Sequence, residues 1–316
     1  MSDKKIIAVI GATGAQGGGL VRAILADPQG GFTARAITRD PNSDAARALA
    51  AAGAEVVAGD VDDVESLTRA FAGAYGAYCV TFFWNHFSPE KEQQSAQNMA
   101  TAAKAAGLQH VIWSTLEDTR HWMPKGDNRM PTLMGKYKVP HFDAKGESDH
   151  FFTDAGVPTT FLLASFYWDN LVGFGAGPKR DADRQLQFTL PIGDVPMAGI
   201  AAEDIGRCAY GIFRRGAELV GARIGVAGEH LTGAEMAAAM TRAIGEPVHY
   251  NAVTPAVYRR FGFPGAEDLG NMFQFYRDFE PDVNAARNVA RSRELNPGLQ
   301  SFDAWLATNA RRIPID

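Results

Sequence analysis

The chain has 316 residues, 46% hydrophobic and 21% charged, which is enough to bury one large core or two smaller ones. Its formal net charge of -5 and its pI near 5.8 argue against general nucleic-acid binding through a basic surface. The sequence contains neither a secretory h-region nor a run of transmembrane length, so we expect a cytoplasmic protein that does not bind membranes. Cys79 and Cys208 lie in apolar runs, which is typical of buried free thiols.

The first strong pattern is a short apolar run that ends in a cluster of glycines. Residues 6–10 are rich in β-branched side chains and predict a strand, and apolar residues recur at helical spacing from Leu20 onward. The spacing Gly11-x-x-Gly14-x-x-Gly17 predicts a tight turn at the start of that helix, where backbone N–H groups can approach an anion because no Cβ intervenes. A dinucleotide pyrophosphate is the usual ligand of such a turn, and an ordinary strand-to-helix connection is the alternative interpretation.

Strands and helices then alternate along the first half of the chain. The predicted strands are residues 32–38, 55–58, 75–82, 110–114 and 159–163, and the predicted helices are residues 45–52, 64–71, 89–106 and 144–154. Strands joined by single helices require a parallel sheet with right-handed crossovers, so we expect a doubly wound α/β fold. Its ligand crevice would lie at the carboxyl ends of the strands.

The second half is less regular. Residues 117–139 have no period and predict a long functional or mobile loop. Beyond residue 166 we predict strands at 186–190, 223–227 and 248–253, helices at 201–213 and 234–244, and a helical, aromatic C-terminus from residue 255 that forms a core or a dimer face. We therefore expect a cofactor-binding domain over residues 1–163, to which the chain returns within residues 190–253, and a smaller α+β domain for a substrate or partner over residues 164–316.

Candidate cofactor contacts follow the second, third and fourth strands. Arg39 ends the second strand, where an acidic residue would bind the ribose of NAD, so an arginine suits the 2′-phosphate of NADP; the alternative is a solvated turn residue. Asp60 follows the third strand and either lies near the adenine or caps the next helix. Thr81, Phe82 and Phe83 end the fourth strand, where they would wall the cofactor or form the edge of a core.

Several stretches resemble the NmrA-like family of the atypical short-chain dehydrogenase/reductase superfamily. They are residues 11–18, Arg39, residues 59–63, the fifth strand and residues 141–147, 190–197 and 262–273, of which the last three resemble its NADPH-sensing (HSCARG-type) members. The resemblance implies a Rossmann-type domain, a smaller C-terminal domain, a cleft between them and NADP(H) as the cofactor, with NAD(H) as a further candidate. Asp40 and Asp44 beside Arg39, without the extra basic residues of HSCARG-type proteins, imply a weaker preference for NADP.

Sixteen residues are expected to bind the cofactor, and no metal site is expected. They are Gly11, Thr13, Gly14, Ala15, Gln16, Gly17, Arg39, Asp60, Val61, Thr81, Phe82, Phe83, Lys145, Ser165, Phe166 and Asn170.

One departure from the superfamily concerns catalysis. Active members use a serine and a Y-x-x-x-K pair, in which the lysine lowers the tyrosine pKa and orients the ribose. Here the pair is His141-x-x-x-Lys145, so the lysine is retained and the phenol is absent. His141 is either an acid or, more commonly for a histidine near a helix start, structural. Lys145, Ser114, His141 and Tyr137 are the candidate catalytic residues.

Two functions follow from this departure. The missing phenol favours an NADP(H)-binding regulatory protein, with little or no dehydrogenase activity, that reports redox state to a regulated partner. The retained lysine supports the alternative, an NADPH-dependent reductase of a small aromatic carbonyl or quinone-like substrate, in which Lys145 acts with Ser114, Tyr137 or His141. A scaffold that binds no nucleotide would leave the glycine spacing and Arg39 unexplained. The aromatic C-terminus makes a homodimer reasonable.

Overall fold

The computed structural model describes residues 4–315 and is organised around a parallel sheet. The strands are β1 (Lys5–Ile10), β2 (Phe32–Thr38), β3 (Glu55–Ala58), β4 (Gly76–Cys79), β5 (His110–Thr115), β6 (Thr159–Leu163), β7 (Phe166–Tyr167), β8 (Lys179–Arg180), β9 (Leu186–Leu190), β10 (Met197–Ile200), β11 (Arg223–Gly225), β12 (Glu229–Leu231) and β13 (Val248–Ala252).

Helices flank this sheet and make up most of the C-terminal part. They are α1 (Ala15–Ala26), α2 (Asp44–Ala51), α3 (Val64–Phe71), α4 (Pro89–Ala105), α5 (Pro140–Glu147), α6 (Asp149–Asp154), α7 (Asn170–Gly173), α8 (Ala202–Arg215), α9 (Gly233–Ile244), α10 (Pro255–Tyr258), α11 (Ala266–Asp278), α12 (Glu280–Ala286), α13 (Val289–Leu295) and α14 (Phe302–Asn309), with short 3-10 helices at Phe83–Asn85, Thr119–His121, Gly216–Leu219 and Ala310–Arg312.

The main sheet has the strand order β11-β6-β5-β4-β1-β2-β3, and all neighbouring strands in it run parallel. The chain starts at β1 in the interior, builds outward to β3, and then returns to the other side of β1 with β4. This order confirms the predicted Rossmann-type, doubly wound α/β fold. The reversal between β1 and β4 is the topological switch point, where ligands of such sheets bind at the carboxyl ends of the strands. Two three-stranded sheets, β12-β10-β7 and β13-β9-β8, lie outside it.

Most predicted elements are present, and two differ in a way that matters for the site. The bounds of β2, β3, β6, β9 and α3 are those predicted. Strand β4 stops at Cys79 rather than residue 82, so Thr81 and Phe82 leave the sheet at its carboxyl edge. The predicted helix 144–154 is two helices. The first begins at Pro140, whose fixed φ suits a first helical position, and its break at Ser148 coincides with a hydroxyl that bonds back to the Ala144 carbonyl at 2.7 Å.

Buried apolar side chains form two clusters. The first fills the space between the main sheet and its helices and includes Cys79 and Cys208, which are buried and not disulfide-bonded, as predicted. The second is built from the smaller sheets and the C-terminal helices, and it contains most of the aromatic C-terminal stripe, which is therefore core. The clusters do not follow chain order: α8 and β11 pack in the first, whereas Met123 and Phe142 pack in the second. The domain bounds at residues 163 and 164 stay a prediction.

The loop at residues 117–139 is irregular, as predicted, but it is held against α11. Asn271 donates to the carbonyls of Pro131 (3.0 Å) and Lys138 (2.5 Å), and Gln274 donates to the carbonyl of Arg129 at 2.9 Å. Met123 and Met130 of the loop are fully buried. Of the two alternatives predicted for this loop, these contacts argue against the mobile one.

Candidate functional site

The glycine turn between β1 and α1 has the geometry expected of an anion site. Gly11 has a φ of +67°, a left-handed value that favours glycine, and a Cβ on Gly17 would lie 2.4 Å from the Gly11 carbonyl oxygen. Gly14 is the N-cap of α1 and has no side chain that could accept from the first-turn amides. Because Thr13 and Ala15 beside it are exposed, a ligand can reach these amides. The turn fits a dinucleotide pyrophosphate.

The carboxyl ends of β2 and β3 lie side by side, with Thr38 paired to Ala58. Arg39 is exposed there and, within residues 4–315, forms no salt bridge with a carboxylate. Asp60 accepts from the Asp62 amide at 3.0 Å, and Asp63 caps α3 through the Glu65 amide at 2.9 Å, so the alternative of Asp60 as the helix cap is wrong. Val61 is half-buried beside it. An exposed guanidinium at the end of this strand fits the 2′-phosphate of NADP.

The aromatic residues after β4 divide into two roles. Phe82 is 38% exposed, and its ring would lie 3.3 Å from a Cβ on Gly11, so it packs over the glycine turn. That Phe82 walls the cofactor stays a prediction. Phe83 is buried and packs against Trp84 with ring centres 5.4 Å apart. The expectation that Phe83 walls the cofactor is therefore corrected: the Phe83 side chain is buried among the residues that follow β4.

Lys145 is held at the same edge of the sheet by two partners. Its Nζ donates to the Thr81 hydroxyl and lies 3.0 Å from Glu92 Oε1, and Thr81 donates to the same carboxylate. Glu92 is fully buried, and its Oε2 lies 3.5 Å from His86 Nε2. An ammonium has three N–H groups, so two are used here and the third is left for a ligand.

Burial alone would raise the pKa of Glu92, but the Lys145 ammonium and hydrogen bonds from His86, Thr81 and Lys145 outweigh it and hold the pKa below its ordinary value. Sequence reasoning missed Glu92. The signal was available, since it occupies the buried stripe of α4 that runs through Pro89, Ala96 and Met99, and a carboxylate in such a stripe requires a partner.

Ser114 does not join Lys145. Trp113 contacts Lys145, with Nζ 5.2 Å from the ring centre, and successive residues of a strand face opposite sides of the sheet. Ser114 therefore faces α1, where its hydroxyl bonds Gln16 Oε1 at 2.8 Å. The hydroxyls of Tyr78 and Tyr167 bond the same Gln16 amide. Gln16 was predicted to contact the cofactor, but here its side chain links these three hydroxyls.

The contacts of His141 and Tyr137 differ from those of the Lys145 amine. His141 is buried, and its Nδ1 lies 2.6 Å from Asp268 Oδ1 while its backbone N–H donates to Asp268 Oδ2 at 3.2 Å. It joins α5 to the first turn of α11, which supports the structural interpretation of this histidine. Tyr137 is buried beneath Lys136, and its hydroxyl has no hydrogen-bond partner within residues 4–315. Burial raises the pKa of Tyr137.

Three residues after β6 were expected to contact the cofactor, and the side chains of two of them have partners within the protein. The Ser165 hydroxyl donates to the Val226 carbonyl, and Phe166 packs against Phe273 with ring centres 6.0 Å apart. Asn170 begins α7, is half-buried, and makes no side-chain hydrogen bond within the described chain. The expectation of direct contacts is therefore corrected for the Ser165 and Phe166 side chains, and Asn170 stays a candidate.

Within the range of residues 4–315, no three His, Cys, Asp or Glu side chains are grouped so that they could hold a metal ion. No helix of the range combines the length and apolarity needed to cross a bilayer.

Comparisons with known proteins place these features in a family. The model of the NmrA-like family matches residues 3–306. The NmrA-like family domain-containing oxidoreductase FrzB of Cladobotryum sp is 32% identical over 305 residues, covering 90% of this chain and 89% of that protein, and the NAD(P)H azoreductase of Xenophilus azovorans is 28% identical over 209 residues, covering 66% and 65%.

Among solved structures, the negative transcriptional regulator NmrA in complex with NADP aligns with a TM-score of 0.77 and 24% identity, over 97% of this chain and 95% of that one. That likeness establishes the fold, and the family match extends over nearly the whole chain. The chain therefore belongs to the NmrA-like family.

Proposed function

We propose that this protein is an NADP(H)-dependent reductase of small, flat aromatic acceptors. The observation that carries the proposal is the Lys145 amine, which Thr81 and Glu92 hold at the carboxyl edge of the sheet with one N–H group free. In this position it would bond the nicotinamide ribose and place a positive charge beside the acceptor. The oxidoreductase and azoreductase names of the two curated relatives support this class of reaction.

The cofactor would lie across the switch point. The glycine turn would hold its pyrophosphate, Arg39 its 2′-phosphate, and Phe82 would cover it; when bound, it supplies the hydride. The two acidic neighbours of Arg39 interact with groups other than its guanidinium: Asp40 accepts from the Asn42 amide at 2.9 Å, and Asp44 forms a salt bridge with Arg47. Arg39 is thus left for an anion, which supports NADPH over NADH despite the acidic surroundings.

A regulatory NADP(H)-binding role is the second candidate. It is favoured by position 141, where the phenol of the superfamily is replaced by a histidine whose Nδ1 is committed to Asp268. A protein of this kind would bind the dinucleotide without reducing an acceptor, and the contact between α5 and α11 would transmit the bound state.

The two roles differ in turnover. NADPH oxidation should be followed with a quinone and an azo dye, using wild type, Lys145→Met and, as a matched control, Lys104→Met, which changes an exposed lysine of α4. For a reductase we expect K145M to lose about 10²-fold or more in kcat/KM and K104M to keep the wild-type value. Binding of NADPH without turnover of either acceptor by the wild type would instead support the regulatory role.

The cofactor preference is tested separately by calorimetry. Arg39→Ala should weaken NADPH binding by about 10-fold or more and leave NADH binding unchanged, because only NADPH carries the 2′-phosphate. Arg69→Ala, in which an exposed arginine of α3 is removed, serves as the control. Equal losses for both dinucleotides, or no loss, would contradict the assignment of Arg39.

A further inference from the structure

His86 lies beside the Glu92–Lys145 pair, in the segment that leads from β4 to α4. Glu92 Oε1 lies 3.0 Å from the Lys145 amine, and the other carboxylate oxygen, Oε2, faces His86 Nε2 at 3.5 Å. Glu92 is fully buried, and within residues 4–315 no other group donates a hydrogen bond to Oε2. A buried carboxylate oxygen requires a donor, and His86 is the group in position to supply one.

The backbone fixes which ring nitrogen of His86 carries the hydrogen. The Ser88 N–H donates to His86 Nδ1 at 3.0 Å, and a backbone N–H can only donate, so Nδ1 bears the lone pair and the hydrogen is on Nε2. A flipped ring would place carbon atoms against both the Ser88 amide and the Glu92 carboxylate, so the two contacts require the same ring orientation. His86 therefore directs an N–H group toward Glu92 Oε2.

A strained turn places His86 next to α4. Phe87 has a φ of +53°, a left-handed value that costs a bulky side chain free energy. The next residue, Ser88, donates its amide to His86 and caps α4 by accepting from the Lys91 amide at 3.2 Å. His86 thus lies against the first turn of α4, which contains Glu92. Strain of this kind at a non-glycine residue is typical of functional sites.

We infer that His86 is a positioning residue of the Lys145 amine and acts through Glu92. The inference rests on the proposed reductase function. With the His86 N–H on Oε2, Oε1 stays turned to Lys145 and Thr81, which leaves the third N–H of the ammonium for a ligand. The same N–H favours the charged carboxylate: burial raises the pKa of Glu92, and His86 is, with Lys145, among the groups that hold it below its ordinary value.

The two nitrogens of His86 can be tested separately. His86→Gln keeps an amide N–H where Nε2 lies, whereas His86→Asn keeps an amide oxygen where Nδ1 lies and does not reach Glu92. With NADPH and a quinone, we expect H86Q to keep kcat within about threefold of wild type and H86N to lose about 10-fold. A role only in the turn before α4 predicts the opposite order. His249→Asn, at an exposed histidine of β13, is the matched control and should equal wild type.

A second readout needs no turnover. Infrared titration of the Glu92 carboxyl, identified by its absence in E92Q, should show protonation at a higher pH in H86N than in wild type or H86Q, because the donor to Oε2 is lost. Lys145 and Thr81, which also bond Glu92, are unchanged in these variants.

The opposite order of the two variants, equal kcat values in both, or equal titrations would overturn the role of His86. A shifted titration in H86N, with no turnover of the quinone by wild type, would instead refute the reductase and retain His86 as the residue that positions Glu92 and Lys145.

Discussion

At the scale of single residues, the Glu92–Lys145 pair is the most consequential contact of the site. A buried carboxylate is stable only beside a compensating charge, and removal of one partner leaves the other uncompensated. We expect Glu92→Gln to lower the free energy of unfolding by about 3–5 kcal/mol at pH 7. In the double variant Glu92→Gln/Lys145→Met the loss should be smaller than the sum of the two single losses, which urea titrations of all four proteins would measure.

The same pair predicts a pH dependence of stability. The folded-state pKa of Glu92 lies below its ordinary value of 4.5, so its contribution is present above that pH and is lost as the pH falls through the folded pKa. The difference in unfolding free energy between wild type and E92Q should thus be constant from neutrality to about pH 5 and shrink below it. Glu90→Gln, an exposed change on the same helix, is the control. A difference that does not vary with pH would contradict the assignment.

Features of single residues could be predicted from the sequence where they depend on the local backbone conformation. The tight glycine turn after β1 follows from local turn chemistry, and the place of Arg39 at the end of β2 follows from the strand pattern. The partners of Lys145 could not be predicted from the sequence, because Thr81 is 64 positions away and the contact depends on how α5 packs on the sheet. Ser114 lies at the end of β5 as predicted from the strand pattern, but its contact with Gln16 could not be predicted, since one residue of register reverses the direction of a side chain.

At the scale of elements, sequence periodicity predicted the alternation of strands and helices, but it did not predict which helices pack against one another. Gly19 lies two residues after the last glycine of the predicted turn, and it serves the packing of α1 on α8: a Cβ there would lie 2.5 Å from the Glu203 carbonyl oxygen. Gly206 of α8 is the counterpart, where a Cβ would lie 2.2 Å from the Leu20 amide nitrogen. The periodicity of one helix does not indicate which residues of another helix pack against it, so this crossing could not be predicted from the sequence.

This crossing yields a prediction. Gly206→Ala places a methyl group against backbone that cannot turn aside, so we expect a loss of about 1–3 kcal/mol in unfolding free energy, and more if α1 shifts. Gly173→Ala at the end of α7 meets no atom within 4 Å in the described chain and should change stability by less than about 1 kcal/mol. Thermal unfolding of the two variants beside wild type would decide; equal melting temperatures for G206A and wild type would contradict the packing argument.

At the scale of the whole molecule, a buried ion pair joins segments that are far apart in sequence. Arg287, just after α12, is fully buried and binds Glu117 through two bonds of 2.5 and 2.8 Å, and its Nε donates to the Ala164 carbonyl at 2.9 Å. The residues following β5, β6 and α12 are thereby fixed to one another. Sequence reasoning had no signal for this contact, since 170 positions separate the two charges.

Loss of this pair should therefore affect cooperativity as well as stability. Arg287→Met leaves the Glu117 carboxylate buried without a partner, and we expect a cost of about 3–5 kcal/mol. Because the two clusters contain different residues, hydrogen exchange measured along a urea series should show the second cluster losing protection before the first in R287M, whereas the two transitions should coincide in wild type. Arg291→Met, at a half-exposed arginine paired within α13, should keep the transitions together. Coincident transitions in R287M would show that the two clusters are coupled by their apolar contacts and not by the ion pair.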